Sequence, residues 1–386
     1  IKNKGTYMKF FIITLFLFLF SSLMAGDLEK MYTSPIKKMN AELFTTTYNK
    51  FQWGGASKRI AVSKSSSLFK SKARESIAYF NAEGKLVRLD AWIYNRGDDG
   101  DMPQSKFETF YEKLLADLTT EFKSKPKKSG ISGATRSTAY TFTLSNRAQV
   151  SLLVGFKKKP FRADFIALVL RNYSKSDSLR GKTKQFIVKK DNGDVLIDKI
   201  PMIDQGPKGY CVPATLARIA QHYGIDISMH EIAMLADSSS GGGTSVRAAL
   251  GALKKKYARV RLKIRDIRVK VPGVYQGPNP ISQSKAEEIF SSTKDKDRNY
   301  LKFFKEIKKR IDKGQMVAWS MVVGLLPENG TPARQGGGGH MRMFIGYNDK
   351  TQELIFSDSW GKGHEVKRIA AKAAFVVTSG IYDITP

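Results

Sequence analysis

Ile203-Asp204-Gln205-Gly206-Pro207-Lys208-Gly209-Tyr210-Cys211-Val212-Pro213-Ala214-Thr215 holds the one cysteine of a chain of 386 residues. A single thiol cannot close an intramolecular disulfide, so its use is packing, pairing between chains, or chemistry. The residues around it favour chemistry. Gly206, Pro207 and Gly209 make the approach a tight loop, and Pro213 suits the first turn of a helix, where no intrahelical donor is lost. Leu216, Ile219, Ala220 and Tyr223 then give one apolar face, and Gly224 ends it, so a helix is predicted to start near Cys211. At a helix N-terminus unpaired N–H groups and the positive dipole end lower a thiol's pKa and favour the nucleophilic thiolate. Gln205, six residues upstream, is spaced to offer its side-chain amide, together with the Cys211 N–H, to an oxyanion formed on an attacked carbonyl. Read as structure alone, Cys211 is a small buried hydrophobe and Gln205 an exposed loop residue.

A base for the thiol must come from four histidines, His222, His230, His340 and His364. His222 lies on the predicted helix of Cys211, and a rise of ~1.5 Å per residue puts it roughly 16 Å away. His230 begins the next predicted helix and reads as a surface or capping residue. His340 follows Gly336-Gly337-Gly338-Gly339 at the start of an apolar strand, with room beside it for a substrate backbone. If His340–Tyr347 and Glu353–Trp360 form a hairpin turning within Asn348–Gln352, paired residue numbers sum to about 700. His340 then faces residue 360, and Asp358 is its diagonal neighbour on the same face, able to orient the imidazole and favour its protonated form. Taken otherwise, Asp358 is a strand-end residue. His364, just beyond, is the reserve base.

Gln205, Cys211, His340 and Asp358 in this order and spacing resemble the Gln, Cys, His and Asp of papain-like cysteine peptidases, especially the double-glycine leader peptidases that process bacteriocins. The resemblance covers residues 196–386. It implies a papain-like α+β fold, with a helical part carrying Cys211 and an antiparallel sheet carrying His340 and Asp358, and a peptide or protein substrate. Val212-Pro213 follows the nucleophile where the leader peptidases typically carry glycine, so the resemblance carries the chemistry rather than the substrate.

The rest of the chain divides around this segment. Residues 1–25 read as a signal peptide with upstream residues: Met8, Lys9, an apolar run from Phe10 to Phe20, then Ser21-Ser22-Leu23-Met24-Ala25, with cleavage expected after Ala25. That makes the protein exported, secreted or periplasmic, or held by an uncleaved anchor. Residues 26–173 read as a small α+β domain of unknown role. Within it, Phe107, Phe110, Tyr111, Leu114, Leu115 and Leu118 repeat at helical spacing among five strand-like runs, so that one helix covers one sheet face. Residues 27 to about 75 show little periodicity. Residues 174–195 read as a linker, and residues 196–386 as the peptidase-like domain. Its further expected elements are helices from Ser228, from Ser245 to Tyr257 and from Tyr300 to Lys313, strands Val260–Val269 and Met316–Val323, and a loop over Pro272–Pro280.

Composition limits the partners. A hydrophobic fraction of 41% excludes a wholly disordered chain, and no spacing calls for a metal or another cofactor. The formal charge of +30 favours anionic partners such as an acidic envelope polymer. Zinc-finger spacing, RNA-binding aromatics and basic heptads are absent from the sequence, which argues against nucleic acid. Three readings follow: an exported thiol peptidase, a transamidase using the same groups with an amine as acceptor, and a non-catalytic basic module that binds the envelope.

Overall fold

The computed structural model describes Leu28 and residues 40–131, 135–144, 148–171, 183–239, 241–256 and 262–386. The expected export segment, residues 1–25, and the connector up to residue 182 lie outside them. The chain forms two α+β units, each built on an antiparallel sheet.

The N-terminal unit runs through α1 (Ala41–Thr47), β1 (Gln52–Trp53), β2 (Ile60–Ser63), the short hairpin β3 (Ser67–Leu68) and β4 (Ser71–Lys72), β5 (Glu75–Phe80), β6 (Leu86–Asn95), α2 (Arg96–Asp99), α3 (Gln104–Phe122), β7 (Lys127–Ile131), β8 (Thr135–Thr143), β9 (Gln149–Lys157) and β10 (Arg162–Arg171). Its sheet has the order β1-β2-β5-β6-β10-β9-β8-β7. The weakly periodic start of the chain thus supplies α1 and two sheet strands, elements too short to carry a period. The predicted helix is α3, and it buries Phe107, Leu114 and Leu118 while Phe110 is exposed.

One helix over one sheet face was the expectation, but both faces of this sheet are covered. Ala78, Phe80, Leu152, Val154, Ile166, Leu168 and Leu170 join the core beneath α1 and α3. Their alternate neighbours Ile77, Tyr79, Trp92, Leu153, Phe165, Ala167 and Val169 join the core of the C-terminal unit. A strand buried on both faces loses its alternation, which explains the unbroken apolar run Phe165 to Leu170.

The C-terminal unit begins with a 3-10 turn (Thr183–Phe186), β11 (Ile187–Lys189) and β12 (Asp194–Ile197). These two strands pair with each other and β12 pairs with the strand of His340, so residues expected to be linker belong to the sheet. There follow α4 (Cys211–His222), α5 (Met229–Leu235), α6 (Val246–Lys256), β13 (Lys263–Asp266), the hairpin β14 (Tyr275–Gln276) and β15 (Asn279–Pro280) within the expected loop, α7 (Gln283–Ser292), α8 (Arg298–Ile311), β16 (Val317–Val322), β17 (Gly339–Asn348), β18 (Glu353–Ser357), β19 (Lys367–Ala370), α9 (Ala371–Val377) and β20 (Thr378–Thr385). The sheet order is β11-β12-β17-β16-β20-β13, and β18 lines the other edge of β17 and pairs with β19.

Local chemistry sets the helices. Ser228 caps α5 by accepting from Glu231 N, and Asp297 caps α8 by accepting from Asn299 N and Tyr300 N. Tyr300, Phe303, Phe304, Ile307 and Ile311 form the buried stripe of α8, with Lys308, Lys309 and Arg310 at its negative end. Among the described residues no helix is long and apolar enough to cross a membrane.

Candidate active site

Cys211 is the first residue of α4, and the preceding Tyr210 makes no side-chain cap. The first-turn N–H groups are therefore left for another acceptor. The backbone N–H groups of Val212 and Met341 serve the Cys211 sulfur. The helix is fastened to β17 by Thr215, whose Oγ1 donates to the Met341 carbonyl at 3.1 Å. The helix of Cys211 and the strand of His340 thus meet one residue beyond His340, with Cys211 only partly buried.

The hairpin register brings Asp358 to His340. Met343 pairs with Ser357 and Phe344 with Phe356, the expected sum of 700, which sets the start of β17 opposite residue 360. His340 Nε2 donates to Asp358 Oδ1 at 2.7 Å, with both side chains buried. The same oxygen accepts from Ser359 N at 2.8 Å. Arg342 Nε stands 2.6 Å from Asp358 Oδ2, at an angle that makes the contact an ion pair rather than a directed hydrogen bond. Trp360 lies flat against the imidazole, centroids 4.5 Å apart and planes 18° from parallel. The other ring nitrogen, Nδ1, closes no hydrogen bond of ordinary geometry, and the charged group facing it is the Cys211 sulfur.

These contacts set the charges. Burial opposes protonation of His340, but the Asp358 carboxylate and then Cys211 outweigh it and hold the imidazole at about 9. Burial raises the Cys211 thiol, while His340 and the two backbone N–H groups bring it below the ordinary thiol range. Asp358, raised by burial, is drawn down to about 2 by His340, Arg342 and Lys367. The arrangement favours a thiolate–imidazolium pair over a neutral thiol and imidazole.

Gln205 is buried in the loop before α4, whereas a loop residue alone would be exposed. Its N–H donates to Ser359 O at 2.8 Å, and Ser359 Oγ donates to its Oε1 at 2.7 Å. With the oxygen so engaged, Nε2 is turned toward the helix start, where one of its two protons goes to Lys208 O at 3.2 Å. The second proton is available to another acceptor.

The four predicted residues Gln205, Cys211, His340 and Asp358 are thus tied to one another through α4, β17 and the end of β18. The other histidines are placed differently. His222 is buried against Phe186 and pushed down to about 3, first by burial and then by Arg59. His230, expected at the surface, is 3% exposed, with its ring 4.3 Å from that of Trp92 in the other unit. His364 stands edge-on to Trp360, and its carbonyl accepts from Asp358 N at 2.9 Å, which shapes the turn.

Sequence reading missed Arg342, Ser359, Trp360 and Arg218. Arg342 had a signal, since it lies two residues from His340 and so on the same face of the strand. Arg218 is fully buried on α4 and donates to Pro201 O at 2.8 Å, Asp358 O at 2.6 Å and Ser357 Oγ at 2.5 Å. Among the described residues no grouping of His, Cys, Asp and Glu could hold a metal ion. No curated protein matches the chain. Residues 197–383, from the end of β12 into β20, match the Peptidase_C39 like family, which supports a C39-type papain-like cysteine peptidase in this part of the chain.

Proposed function

We propose that the protein is a cysteine peptidase in which Cys211 is the nucleophile, His340 the acid and base, Asp358 the group that orients His340, and Gln205 with the Cys211 N–H the oxyanion donors. The observation that carries this reading is the charge pairing of Cys211 at a helix start with an imidazole held by Asp358. The thiolate sulfur attacks a peptide carbonyl carbon, a C–S bond forms, and the oxygen takes the negative charge between the two donors. Collapse breaks the C–N bond as the imidazolium Nδ1–H passes its proton to the leaving nitrogen. Water then gives a proton to Nδ1 and attacks the thioester, and departure of the acid restores the thiolate–imidazolium pair.

The expected export signal in residues 1–25 supports action outside the cytoplasm. The formal charge of +30 supports an anionic surface or polymer nearby. Iodoacetamide and a mixture of tryptic peptides, each read by mass spectrometry, test the nucleophile. Labelling at Cys211 and peptide cleavage are both expected to vanish in Cys211→Ala, and cleavage that persists in this variant refutes the mechanism.

A further inference from the structure

The loop that carries Gln205 to Cys211 contains Gly206, Pro207 and Gly209, and a glycine-rich loop does not hold two hydrogen-bond donors in place unaided. Lys208 supplies the hold. Its carbonyl accepts from Gln205 Nε2 at 3.2 Å and from Tyr210 N at 2.7 Å, so both proposed oxyanion donors hang from this residue or from the one next to Cys211. Its side chain is only 5% exposed, and its ammonium reaches the N-terminal unit. Nζ donates to Asp98 Oδ1 at 2.7 Å and to Oδ2 at 2.6 Å. Asp98 belongs to α2 of the N-terminal unit, 110 residues earlier.

Asp98 is itself set firmly, because its N–H donates to Asn95 Oδ1 at 3.1 Å at the start of α2. The neighbouring Gly97 brings the two backbones together. A Cβ there would stand 2.8 Å from Lys208 Cδ and 2.9 Å from the Tyr210 ring and hydroxyl. Gly97 has no positive φ, so space rather than backbone conformation requires glycine. Glu75 is a further carboxyl near Lys208, pushed up to about 7 by burial, but Asp98 is the one in contact. On the far side of the loop Thr244 Oγ1 donates to Gly209 O at 3.2 Å. The oxyanion loop is thus gripped between the two units.

We infer that the N-terminal unit is a working part of the catalytic site: Asp98, acting through Lys208, is a positioning residue that holds the oxyanion donors, and Gly97 permits the approach. The inference rests on the cysteine peptidase reading, and the test separates the two. In the full chain, Asp98→Asn removes the counter-charge, while Gly97→Ala keeps both charges and crowds Lys208 and Tyr210. Two probes of Cys211 are compared. Iodoacetamide alkylation displaces iodide and forms no oxyanion, whereas acylation by p-nitrophenyl acetate passes through one. Each variant is expected to slow acylation about tenfold or more while alkylation stays within about twofold. Acylation that is unchanged, or a parallel fall in both rates, overturns the inference. If the peptidase reading itself fails, the unmodified protein acylates no faster than Cys211→Ala.

Discussion

Protonation of His340 is favoured by the carboxylate on one ring nitrogen and the sulfur on the other, and this gives pH dependence a definite sign. The folded imidazole at about 9 lies above the ordinary value of about 6.5. Its stabilisation is therefore complete below about pH 6.5 and lost as pH rises through about 9. Asp358 works in the opposite direction: its contribution is present above about pH 3.9 and lost as pH falls through about 2. Amide cleavage is expected to decline above about pH 9, where no imidazolium remains to protonate the leaving nitrogen, and its acid limb should fall below the ordinary thiol range. Asp358→Asn keeps an oxygen to accept from Nε2 but removes the charge, so the alkaline limb should move to lower pH. A rate profile whose alkaline limb does not move in that variant contradicts the assignment. His340 and Asp358 were legible because a hairpin with a short turn has a countable register. Ser359 and Trp360 were not, because a turn residue's partner depends on how the turn folds back.

Helix α4 carries Cys211 at one end and Arg218 two turns further on. Arg218 reaches the Asp358 carbonyl and the Ser357 hydroxyl, so the helix of the thiol is tied to the strand end of the acid. Arg218→Met keeps much of the volume but leaves three buried acceptors short of a donor. The expected loss is about 3–5 kcal/mol in urea unfolding. A loss under about 1 kcal/mol would mean that the three bonds are replaced by others. α4 and α8 were readable from their apolar stripes, and α5 from its start at Ser228. α9 was not, since Ala371, Ala373, Ala374, Phe375, Val376 and Val377 are all buried and leave no period to detect. α7 failed for the opposite reason, with Ala286 its one buried residue. The brace from Asp98 to Lys208 had no local signal, because an ion pair across 110 residues is visible only once both units are folded.

Across the molecule, one sheet serves two cores. Trp92, Phe165 and Val169 pack with Ile232 and Met234 of α5 in the same apolar cluster, and Arg171 joins Asp226 at 2.7 Å beside it. The whole chain is therefore expected to unfold in one cooperative step, with near-ultraviolet dichroism and Cys211 accessibility giving the same midpoint. Two separated transitions would show that the units are independently stable. The runs that form β9 and β10 were legible as strands but were expected to be covered on one face, because an apolar run does not say what packs on its second side. That shared face also bears on inheritance. A recombination event between residues 171 and 183 would cut the chain where it looks most divisible, yet would send each half away with a bare apolar surface. A lineage can lengthen or shorten the connector freely, but it must pass on the two units together or find a new partner whose shape already fits.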